Sequence, residues 1–271
     1  MKKIIAANWK NNGSKKFIKD YFEYFFKNVD SNNEIIIFPP DLYISQVNDY
    51  RREKNFMLGS QNINYVSDDE TLTSGHSSDM FIDNGCSYTL VGHSEVRGSK
   101  VLDLQKKKNF FETRVTEYQT DYDITYSEVA KSLLASNDLQ VIFCVGESAE
   151  TKTNGNTQNV ISKQLEDLCD KRSYPKVIPK KVIVAYEPVW AIGTGNIPKI
   201  DDISFIHKFI KTYVSENHPF LKEKDIMVLY GGSVNSINAS EILNATYVDG
   251  VLIGGASLDS KEFTKICNLK I

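Results

Sequence analysis

Ionisable side chains follow several short apolar runs of the sequence, where turns ordinarily carry Gly, Asn or Asp. Lys10 and Glu187 stand directly after such runs, and His93 and Glu147 hold the same position after two others. A carboxylate, an imidazole and an ammonium in one site suit proton transfer next to a carbonyl group. The carboxylate removes a carbon-bound proton, and the two donors stabilise the enediolate oxygen. No metal-ligand spacing is visible in the sequence, so we expect side chains to act as the electrophile. A structural role is the alternative interpretation for His93.

Two glycine pairs indicate a second kind of chemistry. Gly231–Ser233 and Gly254–Gly255 each end an apolar run, ahead of helix starts near Ser236 and Asp259. Glycine lets a ligand approach the backbone, and helix N-termini present N–H groups to anions. Together the two pairs favour a phosphate site, although either pair alone is typical of an ordinary turn.

The elements that must position these residues alternate between short apolar runs and longer amphipathic stretches. Runs rich in Ile, Val, Leu and aromatic residues are typical of strands buried on both faces. We predict eight of them, at Lys3–Ala7, Glu34–Phe38, Phe56–Gly59, Tyr88–Gly92, Gln140–Val145, Lys181–Tyr186, Ile226–Tyr230 and Asp249–Ile253. Helical spacing predicts helices at Ser14–Asn28, Asp41–Lys54, Ser77–Asn84, Ser127–Ala135, Thr157–Asp170, Asp201–Asn217, Ser236–Leu243 and Asp259–Cys267.

Strands that alternate with helices indicate a parallel sheet, and eight such units can close on themselves. We therefore predict an α/β protein in which residues 1–271 form one (β/α)8 barrel domain, with a doubly wound open sheet as the alternative. The carboxyl ends of barrel strands gather the active site, which brings the polar residues above together. The segment Gly98–Glu117 does not fit the alternation of strands and helices. It carries five basic and three acidic residues, and we expect it to be a partly helical insertion on the surface.

Composition excludes several other classes of protein. The 271 residues carry a net charge of −3, which argues against a dedicated nucleic-acid binder. No run of about 18 apolar residues is present, so we expect no membrane span, and the apolar stretch after Lys2–Lys3 is too short for a signal peptide. The cysteines show no pairing pattern and are expected to be reduced thiols of a cytoplasmic protein: Cys86, Cys144, Cys169 and Cys267.

Six motifs resemble the triosephosphate isomerase family, in the family's order and over nearly the whole chain outside the insertion. The most specific of them is the eleven-residue run Ala185–Gly195. The other five are Asn8–Lys10, Val91–Glu95, Cys144–Glu147, Tyr230–Val234 and Gly250–Leu258. The resemblance implies the TIM barrel fold and the interconversion of glyceraldehyde 3-phosphate and dihydroxyacetone phosphate without a cofactor or metal ion, in glycolysis and gluconeogenesis.

The resemblance also implies a role for each matching residue. Glu187 would be the base, His93 a neutral electrophile, Lys10 the positive charge, and Asn8 a group that orients the substrate. The backbone N–H groups that bind the phosphate would come from Gly193, Ser233, Gly254 and Gly255.

A mobile lid is implied at Pro188–Pro198, a device for which this family is itself a standard example. Trp190 would pack in its hinge, with Glu147 nearby. Glu95 and Tyr230, from the same motifs, are assigned supporting positions.

The sequence departs from the family's pattern at three places: the loop that contacts the other subunit, the segment before the insertion, and the residue after Lys10. The resemblance implies a homodimer formed through the loop around Ser74–His76, but His76 stands where the family carries an acid. Val96–Arg97 replaces a pair of arginines just before the insertion, and Asn11 replaces an apolar residue.

Two alternative functions stay open on the sequence. One is a different sugar-phosphate barrel isomerase or epimerase, and the other is a degenerate barrel homologue that binds a partner without catalysis. The presence of Lys10, His93 and Glu187 together argues against the second alternative.

Overall fold

A computed structural model describes residues 2–51, 56–63, 75–99, 139–169, 181–195 and 197–271. Eight parallel strands pair in chain order, and β1 pairs with β8 to close the barrel. The strands are β1 (Ile4–Asn8), β2 (Glu34–Phe38), β3 (Met57–Ser60), β4 (Tyr88–Val91), β5 (Gln140–Val145), β6 (Val182–Tyr186), β7 (Ile226–Tyr230) and β8 (Gly250–Ile253). The predicted (β/α)8 architecture is confirmed, and the open-sheet alternative is wrong.

Helices surround the barrel in the described part of the chain. They are α1 (Lys15–Asn28), α2 (Ile44–Tyr50), α3 (Ser78–Asp83), α4 (Ala149–Thr153), α5 (Thr157–Cys169), α6 (Ile200–Asn217), α7 (Ala239–Asn244) and α8 (Ser260–Cys267). Their starts follow local chemistry: the side chains of Ser14, Ser77 and Asp259 each accept a backbone hydrogen bond from the first turn that follows.

Alternation along the strands separates two apolar layers. Ile142 and Cys144 of β5 belong to the cluster inside the barrel, whereas Phe143 and Val145 pack in the layer between strands and helices. Because successive side chains of a strand point to opposite faces, this parity also decides where the residues beyond each strand end can point.

The predicted boundaries of the strands are correct to within one residue, two predicted helices differ in their bounds, and α4 was not predicted. The segment from Asp41 begins as a 3-10 turn, and its α-helical part ends at Tyr50. Helix α7 begins at Ala239 rather than Ser236, because the Asn235 side chain accepts the N–H groups of Ile237 and Asn238 in a turn of its own. The predicted helix Ser127–Ala135, and the insertion beyond Ser99, lie outside the described residues.

Candidate active site

The carboxylate of Glu187 lies on the inner face of the barrel because side chains alternate between the two faces of β6. Ile183 and Ala185 of β6 face the barrel interior, and Glu187 comes two residues later on the same alternation. Its backbone N–H donates to the carbonyl of Val145 at 2.7 Å. Gly146 makes this approach possible, because a side chain there would overlap the Glu187 carbonyl. Glu187 is 2% exposed.

His93 reaches the same space through a sharp turn at the end of β4. Gly92 has a φ of +70°, which glycine adopts without strain. The Nε2 atom of His93 lies 3.0 Å from Oε1 of Glu187, and the other oxygen, Oε2, accepts the backbone N–H of Ser94 at 2.9 Å. A buried carboxylate and a buried imidazole therefore face each other across the carboxyl end of the barrel.

Hydrogen bonds at both ring nitrogens define the state of His93. The N–H of Glu95 donates to Nδ1 at 3.2 Å, so Nδ1 carries no proton and Nε2 is the donor toward Glu187. Burial lowers the pKa of His93, the neighbouring carboxylate of Glu187 raises it, and the net direction is upward. The upward shift depends on this neighbour, whereas the Glu95 N–H favours the neutral ring.

Lys10 is held in a backbone conformation that side chains rarely adopt, with a φ of +52°. Three contacts fix it there. Its N–H bonds to Oδ1 of Asn8 at 3.0 Å, and its carbonyl accepts a hydrogen bond from Nε2 of Gln61 at 2.8 Å. Its ammonium forms an ion pair with Oε1 of Glu95 at 2.8 Å. The ammonium of Lys10, which lines the cavity, is thereby paired with the partly exposed carboxylate of Glu95.

Glycines form the opposite wall of the pocket, which encloses a cavity of about 320 Å³. A side chain at Gly231 would lie 2.8 Å from Cγ of Glu187, and one at Gly254 would lie 3.3 Å from Cε of Lys10. Gly193 lines the same cavity, and a Cβ there would contact nothing within 4 Å. Glycines thus make up much of the lining of this cavity and leave space next to Glu187 and Lys10.

Glu147 lies outside this pocket because it continues the outward alternation of β5. It is 1% exposed, and its Oε1 accepts hydrogen bonds from the indole Nε1 of Trp190 at 2.8 Å and from the hydroxyl of Tyr186 at 3.1 Å. Burial raises the pKa of Glu147, and these hydrogen bonds lower it by less. Its carbonyl also accepts the N–H of Val189 at 3.1 Å, so Glu147 holds the start of the segment after β6.

The sequence-predicted residues divide into three groups in the structure. Those that line the cavity are Asn8, Lys10, His93, Glu187, Gly193, Ser233, Gly254 and Gly255. Glu95 lines a neighbouring cavity that shares Lys10 and His93. Glu147 and Trp190 lie together behind the pocket, and Tyr230 is fully buried in the outer apolar layer.

Sequence reasoning missed three polar side chains that hold the backbone of the site. Gln61 fixes Lys10, as described above. The guanidinium of Arg97 donates to the carbonyl of Gly92 at 2.5 Å, beneath His93. Gln164 of α5 bonds to both the N–H and the carbonyl of Gly146, at 2.9 and 3.1 Å. The sequence predicts which side chains of a strand face the same side. It does not predict hydrogen bonds between a side chain and the backbone of a distant residue.

The predicted subunit-contact loop is described only in part, because Ser74 lies outside the described residues. Nδ1 of His76 lies 3.4 Å from Oδ2 of Asp41, and both side chains are more than one-third exposed. Burial raises the pKa of Asp41, and His76 lowers it by less.

In the described ranges, no three or more His, Cys, Asp and Glu residues come together as potential metal ligands. The helices of the same ranges include none that is long and apolar enough to cross a membrane.

The family model that matches this chain and the relatives described below carry the same name. A family model described as "Triosephosphate isomerase" matches residues 3–270. A protein of that name from Ruthia magnifica is 36% identical over 265 residues, covering 97% of each chain. Another from Francisella philomiragia is 34% identical over 271 residues, covering 99% of this chain and 97% of the relative. A third, from Prochlorococcus marinus strain MIT 9211, is 34% identical over 273 residues.

Proposed function

Because this chain belongs to the triosephosphate isomerase family, we propose that Glu187, His93 and Lys10 carry out its isomerisation of triose phosphates. The enzyme interconverts glyceraldehyde 3-phosphate and dihydroxyacetone phosphate. The observation that carries the residue assignment is the 3.0 Å contact between Glu187 and His93 opposite a glycine-lined wall.

Proton transfer is assigned to the carboxylate of Glu187. With substrate between the two side chains, Glu187 removes a proton from C1 of dihydroxyacetone phosphate and returns it to C2. The Nε2–H of His93, which points at the carboxylate in the structure, then donates to the substrate oxygens: O2 gains a proton as the enediolate forms and O1 gives one up, so that the aldehyde forms at C1. The ammonium of Lys10 stabilises the negative charge that develops on them. Asn8 fixes the backbone of Lys10 and lines the same space.

Phosphate binding is assigned to the glycine wall. The amides of Gly254 and Gly255 begin a short 3-10 turn after β8, and Ser233 follows β7. Gly193 approaches from the segment after β6. Backbone N–H groups bind a phosphate dianion in this position of many barrels, and glycine leaves room for its oxygens.

A lid is assigned to Pro188–Pro198, with Trp190 at its base. The hydroxyl of Ser233 donates to the carbonyl of Ala191 at 2.7 Å, which ties the segment to the phosphate wall. Positive φ angles at Gly193 and Gly195 place the chain reversal next to the cavity. Closure over the substrate would exclude water and protect the enediolate.

A coupled assay with glyceraldehyde 3-phosphate tests this assignment. We expect turnover by the wild type, with deuterium from heavy water appearing on the product carbon, and a loss of roughly 10³-fold or more for Glu187→Ala. Glu166→Ala, which changes an exposed carboxylate of α5, is the matched control and should retain full turnover. Full turnover by a folded Glu187→Ala variant would remove Glu187 from the reaction.

We also propose that the protein is a homodimer of a single-domain chain in the cytoplasm. Support comes from the family and from the surface beside the pocket. Leu42 is 90% exposed there, at the rim of a cavity of about 330 Å³ that reaches Lys10 and Glu95. A loop of a second copy near Ser74–His76 would fill this cavity.

Sedimentation of the purified chain tests the dimer. We expect twice the chain mass of 30.7 kDa at micromolar concentration, and Leu42→Glu should shift the distribution to single chains because it places a charge at the contact. A single-chain mass for the wild type would contradict the proposal, without bearing on the chemistry of Glu187.

A further inference from the structure

Lys152 contacts the face of the Trp190 indole ring in the proposed lid segment. Its ammonium nitrogen lies 3.4 Å from the centroid of the Trp190 ring, well within the roughly 6 Å over which a cation is attracted by an aromatic face. The same indole donates its N–H to Glu147 at 2.8 Å. Trp190 is therefore held at its edge by an anion and on its face by a cation.

Both charges come from one short stretch after β5. Glu147 lies two residues beyond the end of β5, and Lys152 follows on α4, whose first turn is fixed by the Ser148 hydroxyl accepting the N–H of Thr151 at 3.2 Å. The attraction of Lys152 also lowers the pKa of Glu147 against the effect of burial. The segment after β5 thus supplies both charged groups that contact Trp190, the carboxylate of Glu147 and the ammonium of Lys152.

The position of Trp190 couples to the cavity through a few residues. Ala191 bonds to Ser233, and Gly193, two residues farther, lines the cavity. Trp190 is therefore within three residues of the part of the segment that lines the cavity. We infer that Lys152 is a positioning residue for the lid, acting through the face of Trp190, and that this rests on the proposed function of the segment.

A loosened lid would increase one side reaction, the elimination of phosphate from the enediolate. The carbon–oxygen bond to the phosphate breaks, and its electron pair leaves with inorganic phosphate. The remaining enol takes a proton from water to become an α-oxoaldehyde. A lid that excludes water and fixes the phosphate suppresses this step. Inorganic phosphate released per isomerisation therefore reports the lid, which a simple effect on folding would leave unchanged.

Lys152→Ala and Lys152→Arg form the test, with Lys163→Ala on α5 as the control for loss of an exposed lysine. For Lys152→Ala we expect kcat to fall about two- to fivefold with a smaller change in KM, since an exposed cation–aromatic contact has about that effect. Inorganic phosphate per turnover should rise. Lys152→Arg, which keeps the cation, should restore both values, and Lys163→Ala should match the wild type.

Quenching of tryptophan fluorescence by acrylamide gives a readout that needs no activity. The chain has two tryptophans, and Trp9 is 0% exposed, so the quencher reports Trp190. Lys152→Ala should raise the quenching constant and Lys152→Arg should restore it. Unchanged quenching and phosphate release in Lys152→Ala, with wild-type isomerase activity intact, would overturn the inference alone. Altered quenching in a protein that never isomerises would instead overturn the proposed function.

Discussion

Two regions of the barrel each bury one carboxylate and one imidazole, yet they arrange the pair differently. In the pocket, Glu187 and His93 touch at 3.0 Å. In the outer layer between β6 and α6, Tyr186 separates Glu147 from His207. Its hydroxyl bonds to Glu147 at 3.1 Å, and its ring lies edge-on to His207, with centroids 6.0 Å apart. The pocket pairs its acid and base directly, and the outer layer keeps them apart.

The difference comes from one residue of offset on neighbouring strands. Glu187 continues the inward alternation of β6, and Glu147 continues the outward alternation of β5. Side chains of a strand change face at every residue, so the same residue type lines the cavity in one case and accepts a hydrogen bond from Trp190 in the other. Burial of a glutamate therefore does not identify a base; the face on which it is buried does.

The two histidines show the electrostatic side of the same contrast. The carboxylate beside His93 raises its pKa against the effect of burial. Among the described residues, no carboxylate takes this place beside His207: burial lowers its pKa to about 3, and the carbonyl of Tyr247, 3.3 Å from Nδ1, opposes this only in part.

The largest effect is expected in the pocket, for His93→Gln. The glutamine keeps a polar group in the buried position but moves the donor away from the substrate oxygens. Loss of one such donor lowers kcat by about 10²–10³-fold. Steady-state kinetics on a variant with an unchanged unfolding transition would check this. A decrease below tenfold would show that Lys10 alone stabilises the enediolate, and the contrast between the two histidines would lose its functional meaning.

The fold could be predicted from sequence to a large extent, because apolar runs of barrel strands are bounded by turn residues on both sides. Where prediction was wrong, short-range polar contacts decided the outcome. Asn235 forms its own turn and delays α7. Helix α4 spans five residues, too few for a helical period to show, and Ser148 alone marks its start.

In the outer layer, His207→Asn should change stability against acid rather than activity. The folded pKa of about 3 lies below the ordinary value of 6.5, so the unfolded chain binds a proton that the folded chain does not. Stability from this group is full above pH 6.5 and is lost as the pH falls toward 3, at about 1.4 kcal/mol per pH unit. Asparagine keeps a donor for Tyr247 but does not titrate.

Urea unfolding at pH 7 and pH 5 measures the difference. We expect the wild type to lose about 2 kcal/mol more than His207→Asn between these two values, with kcat within about twofold at pH 7. An equal loss in both proteins would mean that His207 is protonated in the folded chain, and the outer layer would then resemble the pocket.

A smaller effect is expected for Glu147→Gln. The amide oxygen still accepts from the indole of Trp190, but the bond loses its charge, a difference of about 1 kcal/mol or roughly fivefold in kcat/KM. Inorganic phosphate release should rise as the lid base loosens. A loss as large as that of Glu187→Ala would place Glu147 in proton transfer and remove the distinction between the two glutamates.

The ionisable residues that line the cavity could be predicted from the sequence, whereas the side chains that hold their backbone could not. Lys10, His93 and Glu187 stand out because ionisable groups follow apolar strands. Glu147 follows Cys144 by three residues, so it lies on the opposite face of β5. This places Glu147 in the outer layer only once Cys144 is known to face the barrel interior. Gln61 and Gln164 act through single hydrogen bonds to backbone atoms of distant residues, and no local pattern carries that information.

The smallest effect is expected when residues 100–117 are removed, because this segment should leave both regions unchanged. It follows the turn Glu95–Ser99, and β4 pairs directly with β5, Tyr88 opposite Gln140, so the strands need not be held by the connection. Loop entropy depends weakly on length, and shortening the connection changes stability by roughly 0.4 kcal/mol. Thermal unfolding and kcat should both stay near the wild-type values. A collapsed transition would show that the segment packs into the core or the subunit contact. A loss of turnover at unchanged stability would instead show that it positions His93 from the β4 side, as Glu147 supports the lid from the β5 side.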